Sequence, residues 1–178
     1  KFKNNTKIYL CSKYNIYKKS QNYNWIYAYS SAKDKKVLSK LFNYLVTLKK
    51  IKKLNCIYFK GHPTWKHDQI EKKFFVKLSS FGIKYKILEN YKKLNYSKYY
   101  GLISAPSTIL LESSFNNPDI KIIGIKRNKN ITSGLLYKFY CLNKIKIIWE
   151  PEIFELKNYL AKNKRDILTN NNLKNILL

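Results

Sequence analysis

Short apolar runs alternate along this chain with longer stretches in which apolar residues recur every three or four positions. The second pattern marks helices that bury one face, and the first marks strands. Asp34–Lys53 carries Val37, Leu38, Leu41, Phe42, Leu45, Val46 and Leu48 at helical spacing. From about Lys66 to Phe81, Ile70, Phe74, Phe75 and Leu78 share a helical face, and Gly82 stands just beyond, where a helix end favours glycine. Ser107–Phe115 predicts a short helix after Pro106, closed by Asn116-Asn117-Pro118. Ser133–Leu142, and Pro151 to about Lys162, predict two more. Between them, Cys56–Phe59, Ile83–Leu88, Tyr100–Ser104, Ile120–Ile125 and Ile145–Trp149 read as strands. Lys7–Cys11 is the candidate for a sixth, and Trp25–Tyr29 reads either as a strand or as the approach to a helix. Ser12–Asn24 reads as loop, and Asn90–Tyr99 as a polar connection with room for a short helix.

Strands separated by helices form βαβ units, whose parallel sheet is covered on both faces. The expected fold is therefore α/β, a Rossmann-like parallel sheet with helices on both faces. It is expected to span residues 1–178 as a single domain, with 165–178 as an Asn-rich tail. Apolar residues make up 45% of the chain, enough for a core and against disorder.

Charge complicates this picture. Lysine and arginine number 36 against ten acidic residues, giving a formal charge of +26. Such an excess first points to nucleic acid, but its distribution does not. The lysines are spread along the chain, and the only arginines are Arg127 and Arg165. Arginine is the side chain that forks onto phosphates and bases. Lys, Asn, Ile and Tyr abound together, as an AT-rich genome would produce. An anionic membrane surface or an anionic sugar donor is the expected partner instead.

Cys11, Cys56 and Cys141 are odd in number, far apart and without metal-ligand spacing. Cys56 and Cys141 lie in or beside apolar runs and read as small core residues, which fits a reducing, cytoplasmic setting. No apolar run approaches the ~18 residues of a membrane span, and no signal peptide is visible. The chain opens at Lys1-Phe2-Lys3 without a methionine anywhere, so it is expected to be a piece of a longer protein.

Gly-x-Gly-x-x-Gly, Walker, Gly-x-Ser-x-Gly and His-Glu-x-x-His patterns are all missing. What remains is a set of polar residues at predicted strand carboxyl ends, where open α/β sheets bind ligands. Cys56–Phe59 runs into Lys60-Gly61-His62-Pro63. Pro63 presets the backbone for a following helix. The His62 imidazole and the helix amides could then receive an anion, and His62 could protonate a leaving phosphate oxygen. A histidine that only caps a turn is the plain alternative, and His67, one helical turn on, reads as a solvated helix residue. Ser104-Ala105-Pro106-Ser107-Thr108 follows the next strand and opens a helix. Its hydroxyls either cap the helix or join its amides in a second anion cradle. Glu89 ends Ile83–Leu88, where a carboxylate suits the two hydroxyls of a ribose, unless it is merely a solvated loop residue. Together the three describe a nucleotide pocket.

Lys60-Gly61-His62-Pro63 resembles the His-Pro motif of bacterial sialyltransferases with the two-domain GT-B fold. Ser107-Thr108 resembles their downstream Ser-Ser/Thr motif, at a similar remove, and Glu89 sits at about the family's distance before it. The resemblance runs roughly from Leu54 to Ile125. His-Pro alone also occurs in other GT-B transferases, such as the glycerophosphate polymerases of cell-wall synthesis; the ordered trio is more specific. The resemblance implies that this is the C-terminal, donor-binding domain of a GT-B glycosyltransferase. That enzyme moves sialic acid from CMP-sialic acid to a glycan or glycolipid acceptor of lipooligosaccharide or capsule.

On that resemblance His62 contacts the donor phosphate and assists departure of CMP. Ser107 and Thr108 hold the same phosphate, and Glu89 binds the ribose. The backbone at Gly61 and Pro63 lies close to the base, and Trp65 borders the pocket. No metal or other cofactor is expected. The enzyme is expected in the cytoplasm, peripheral on the inner membrane. The family's acidic motif, Asp/Glu-Asp/Glu-Gly, deprotonates the acceptor from the N-terminal domain and does not occur in these residues. A GT-B transferase using a CDP- or UDP-linked donor, and a basic non-enzymatic module binding nucleic acid or membrane, are the alternatives.

Overall fold

A computed structural model of the chain describes residues 22–29, 35–61, 69–88, 94–126 and 135–161. Six parallel strands form one sheet: β1 (Asn24–Ala28), β2 (Cys56–Lys60), β3 (Tyr85–Leu88), β4 (Gly101–Ser104), β5 (Lys121–Gly124) and β6 (Ile147–Trp149). Their order across the sheet is β3-β2-β1-β4-β5-β6. The helices are α1 (Lys35–Lys50), α2 (Gln69–Ser80), α3 (Thr108–Asn116), α4 (Leu135–Leu142) and α5 (Ile153–Ala161). A 3₁₀ turn at Tyr96–Lys98 leads into β4. The Rossmann-like α/β expectation holds, with helices on both faces.

The strand left ambiguous by its sequence, Trp25–Tyr29, is β1, one of the two central strands. Its residues are buried on both faces, so it lacks the polar alternation that marks a half-exposed strand. Lys7–Cys11, expected as the sixth strand, lies outside the described residues.

Each face has its own core. Trp25, Tyr27, Ile57, Phe59, Ile103 and Ile123 point to one side. There α1 covers them with Leu41, Leu45 and Leu48, α2 with Phe74, Phe75 and Leu78, and α5 with Leu156 and Leu160. On the other side Ile26, Ala28, Leu102 and Ile122 meet Tyr96, Leu110 of α3 and Tyr140 of α4. The period-3.6 stripes read from the sequence are these buried faces.

Two cross-strand contacts set the packing. Trp25 pairs with Gly101 across β1 and β4, and its ring lies where a Gly101 side chain would stand. Trp25 is fully buried, and its indole N–H donates to the Lys53 carbonyl at 2.7 Å. On the opposite face Gly124 of β5 pairs with Trp149 of β6, and the second indole covers that glycine in the same way.

Three helices end alike. After α1, Lys53 N–H bonds Leu48 O and Lys52 N–H bonds Lys49 O; α2 repeats this at Ile83 and Gly82, and α4 at Ile145 and Lys144. This is the Schellman closure, whose penultimate residue takes a left-handed backbone. The φ values are 55° at Lys52, 61° at Gly82 and 51° at Lys144. Only the middle one is the glycine that this backbone favours.

One expectation about the core fails. Cys56 is buried, but Cys141 is exposed. Its apolar run lies on a helix that turns Tyr140 inward, and the next residue therefore points out.

Replacing Gly101 by Ala would place a methyl 2.3 Å from the Trp25 ring, which the Lys53 bond keeps from retreating. We expect Gly101→Ala to cost about 3 kcal/mol, the upper range for overpacking. A urea midpoint equal to wild type would refute this. Burial pushes the phenols of Tyr44, Tyr100 and Tyr159 up from 10.0 to about 12. The folded chain keeps these protons where the unfolded chain has lost them. Their contribution is complete below pH 10 and is lost as pH rises toward 12. The stability of wild type relative to Tyr100→Phe should therefore fall across that window in urea titrations. A constant difference would rule it out.

Candidate functional site

The strand order contains one reversal. From β1 the chain moves outward to β2 and β3, then crosses back to β4 on the far side of β1. The loop leaving β1 leads to α1 on one face, and the loop leaving β4 leads to α3 on the other. At such a reversal open α/β sheets form a ligand-binding crevice outside the carboxyl ends of the two strands, here β1 and β4.

The β4–α3 loop lies on this crevice. Ser104 ends β4 opposite Ala28 and is fully buried. Its hydroxyl lies 3.1 Å from the Ala28 carbonyl, 2.8 Å from that of Ala105, and 3.3 Å from the Ser107 hydroxyl. One hydroxyl carries one proton, so it donates to a carbonyl and can accept from Ser107. This ties the ends of β1 and β4 together beneath the loop.

Ser107 is the N-cap of α3, with extended backbone (φ −162°, ψ 160°), yet its hydroxyl makes no capping bond. The sequence left cap or cradle open; the side chain turns toward Ser104 instead. Thr108 opens the helix and is exposed.

The Ser107 peptide is held from the other side by a residue that sequence reasoning missed. Tyr140 of α4 accepts from the Ser107 N–H at 2.9 Å and donates to the Ser107 carbonyl at 2.8 Å. Burial raises this phenol above its ordinary range, and the Ser107 hydrogen bond partly offsets the rise. At 2% exposure Tyr140 is also packed against Trp149, ring centroids 6.1 Å apart. The Ser107 N–H is thus taken, and an anion at this helix end would meet the hydroxyls and the later amides of the first turn.

Gly61 is buried and directly follows Lys60, the last residue of β2, whose carbonyl accepts from Tyr29 N–H at 3.0 Å. His62, Pro63, Trp65, His67 and Glu89 lie outside the described residues. Their chain positions nonetheless follow from their neighbours: His62 comes one residue after Gly61, and Glu89 one after Leu88, which pairs with Lys60. Of the basic residues near these strand ends, Lys60 ends β2 and Lys126 follows β5, while Arg127 lies outside the described residues.

Lys126 belongs to a charged clamp. Glu150, just past β6, accepts from the Lys126 N–H at 3.0 Å and forms an ion pair with Lys40 of α1. Lys40 also donates to the Lys126 carbonyl at 3.2 Å. Glu150 holds a left-handed backbone, φ 47°, to do this. A groove of about 490 Å³ opens beside it, lined by Tyr44, Pro151, Ile153 and Phe154. A larger one of about 520 Å³ lies at the opposite edge of the sheet, around Asn24, Cys56 and Lys84, away from the switch point. Burial raises the Cys56 thiol above its ordinary range, which keeps it protonated and unreactive.

No family model and no curated protein matches this chain.

Tyr140→Phe should leave the Ser107 N–H without its partner and the Ser107 carbonyl with the Leu110 N–H alone, at a cost of about 1–3 kcal/mol. Faster hydrogen exchange at the Ser107 amide, measured by NMR, is the expected local signature. Unchanged exchange would show that the tyrosine does not hold the loop.

Proposed function

We propose that this domain binds the donor of a glycosyltransferase that moves sialic acid from CMP-sialic acid to a bacterial surface glycan. One observation carries the reading most. The strands that lead into Lys60-Gly61-His62-Pro63 and Ser107-Thr108 flank β1 on either side. Two strand spacings separate them, roughly 10 Å. A phosphate over the carboxyl end of β1 lies within reach of side chains from both. Glu89, after β3, comes one strand beyond His62, where the ribose of a nucleotide anchored at β1 would extend.

The chemistry follows from charge. Negative charge builds on the phosphate oxygen of CMP as the bond to the sugar breaks. In this reading Thr108 donates its hydroxyl bond to that phosphate, Ser107 turns its one proton from Ser104 to it, and the His62 imidazolium protonates or neutralises the leaving oxygen. Donors held before the reaction need little reorganisation during it, and the two Tyr140 bonds hold the Ser107 peptide in that sense. A net charge of +26 draws an anionic donor toward the protein as a whole. None of these steps asks for a metal. The acceptor hydroxyl needs a base, which the resembling family supplies from another domain.

Calorimetric titration tests the pocket. CMP should bind, with CDP and UDP weaker. Ser107→Ala and His62→Ala should each weaken CMP roughly tenfold or more, as expected for bonds to a charged group. Unchanged CMP affinity in both variants would sink the assignment.

A further inference from the structure

The amino-terminal edge of the sheet, opposite the switch point, gathers positive charge. The α1–β2 turn contributes Lys50 and Lys52, and the α2–β3 turn Lys84. Lys98 precedes β4, and the α4–β6 turn adds Lys144 and Lys146. All are exposed. Among the described residues of these turns and the α3–β5 turn, the acidic side chain is Asp119 alone. At the other edge Glu150 and Glu152 of the β6–α5 turn and Glu155 of the first turn of α5 stand with Lys35, Lys36, Lys60 and Lys126, so charge of both signs is mixed there.

Two of these lysines stand where the backbone disfavours them. Lys52 and Lys144 take the left-handed position of their Schellman turns, and Gly82 fills it in the third. Glycine or asparagine suits that position best. Asparagine is abundant in this chain, yet lysine stands at both. Local strain of this kind points to a use outside the fold.

Apolar side chains are interleaved with the charge. Phe81, Phe115 and Leu142 are 50%, 49% and 77% exposed. They come from the carboxyl ends of α2, α3 and α4, on the same edge.

We propose that this edge docks flat on an anionic phospholipid bilayer. The lysines meet the headgroup phosphates, and Phe81, Phe115 and Leu142 enter the boundary beneath them. Six strands at ~4.8 Å make a row roughly 25 Å wide, broad enough for a planar surface. Nucleic acid would use the lysines but leave the three apolar side chains in water. The forked arginine contacts typical of phosphate-backbone recognition are missing from these turns. Docked in this way, the switch-point crevice faces the water. The proposal is independent of what that crevice binds.

Vesicle sedimentation of the full chain tests it. The probes are phosphatidylcholine vesicles with and without phosphatidylglycerol. Binding should require phosphatidylglycerol and weaken with salt. Lys50→Glu/Lys52→Glu/Lys144→Glu should reduce partitioning roughly a hundredfold. Lys72→Glu/Lys73→Glu/Lys157→Glu, an equal charge change on exposed faces of α2 and α5, should reduce it only about twofold. The most telling variant is Lys52→Gly/Lys144→Gly. It relieves both left-handed positions, so its urea midpoint should hold or rise while vesicle binding falls. Equal losses in the two charge-reversal variants would overturn the proposal. So would equal binding to neutral vesicles, or tighter binding to duplex DNA lost in the same variants.

Discussion

Trp25 lies over a backbone position that has no side chain, and the architecture extends outward from that contact. The ring fills the space above Gly101, while its N–H reaches the turn between α1 and β2. One side chain therefore fixes β1 against β4 laterally and against the α1–β2 turn at its amino end. The contact admits one register. A slip by one residue would turn every side chain of β1 to the opposite face, and the indole would lose its glycine. With Trp25 opposite Gly101, Ala28 falls opposite Ser104. The buried hydroxyl can then tie the two strand ends together at the crevice. A packing constraint at one end of the sheet thus sets hydrogen-bond geometry at the other.

The second indole works on the opposite face. Gly124 leaves room for Trp149, Trp149 packs against Tyr140, and the Tyr140 hydroxyl brackets the Ser107 peptide. The loop on the crevice is held from beneath by Ser104 and from the side by Tyr140. Loops at binding sites usually gain precision from a rigid scaffold; here the scaffold reaches the loop through two named contacts. The Glu150 clamp does similar work at the edge, binding α1 to the segment after β5 with a side chain rare in this chain.

The helices and five of the strands were legible in the sequence because periodicity reports burial, and burial is what these elements do. The reading of Asp34–Lys53 overran α1 by a few residues, since the lysines that close the helix look no different from those within it. β1 was half legible, left between a strand and the approach to a helix: buried on both faces, Trp25–Tyr29 presents no alternation. Strand order was not legible, because periodicity says what a segment is and not which segment lies beside it. At the crevice, Gly61, Ser107 and Thr108 stood out by their turn chemistry. Tyr140 did not. Its partner is 33 residues away, and a tyrosine in an apolar helix looks like core until its hydroxyl is followed. Cys141, one residue on, misled for the same reason: an apolar run on a helix is divided between inside and outside.

The few glycines of this chain carry a meaning that their scarcity creates. Lysine, asparagine, isoleucine and tyrosine are spelled with codons rich in A and T, and glycine is not. Where nucleotide bias pushes a sequence toward the first group, a glycine persists where nothing with a side chain will serve. There are five in all. One turns a helix end, and two lie beneath indole rings. A fourth, Gly61, is buried at the mouth of the crevice. At Gly101 and Gly124 glycine marks where the backbone of one strand and the indole of its neighbour come closest.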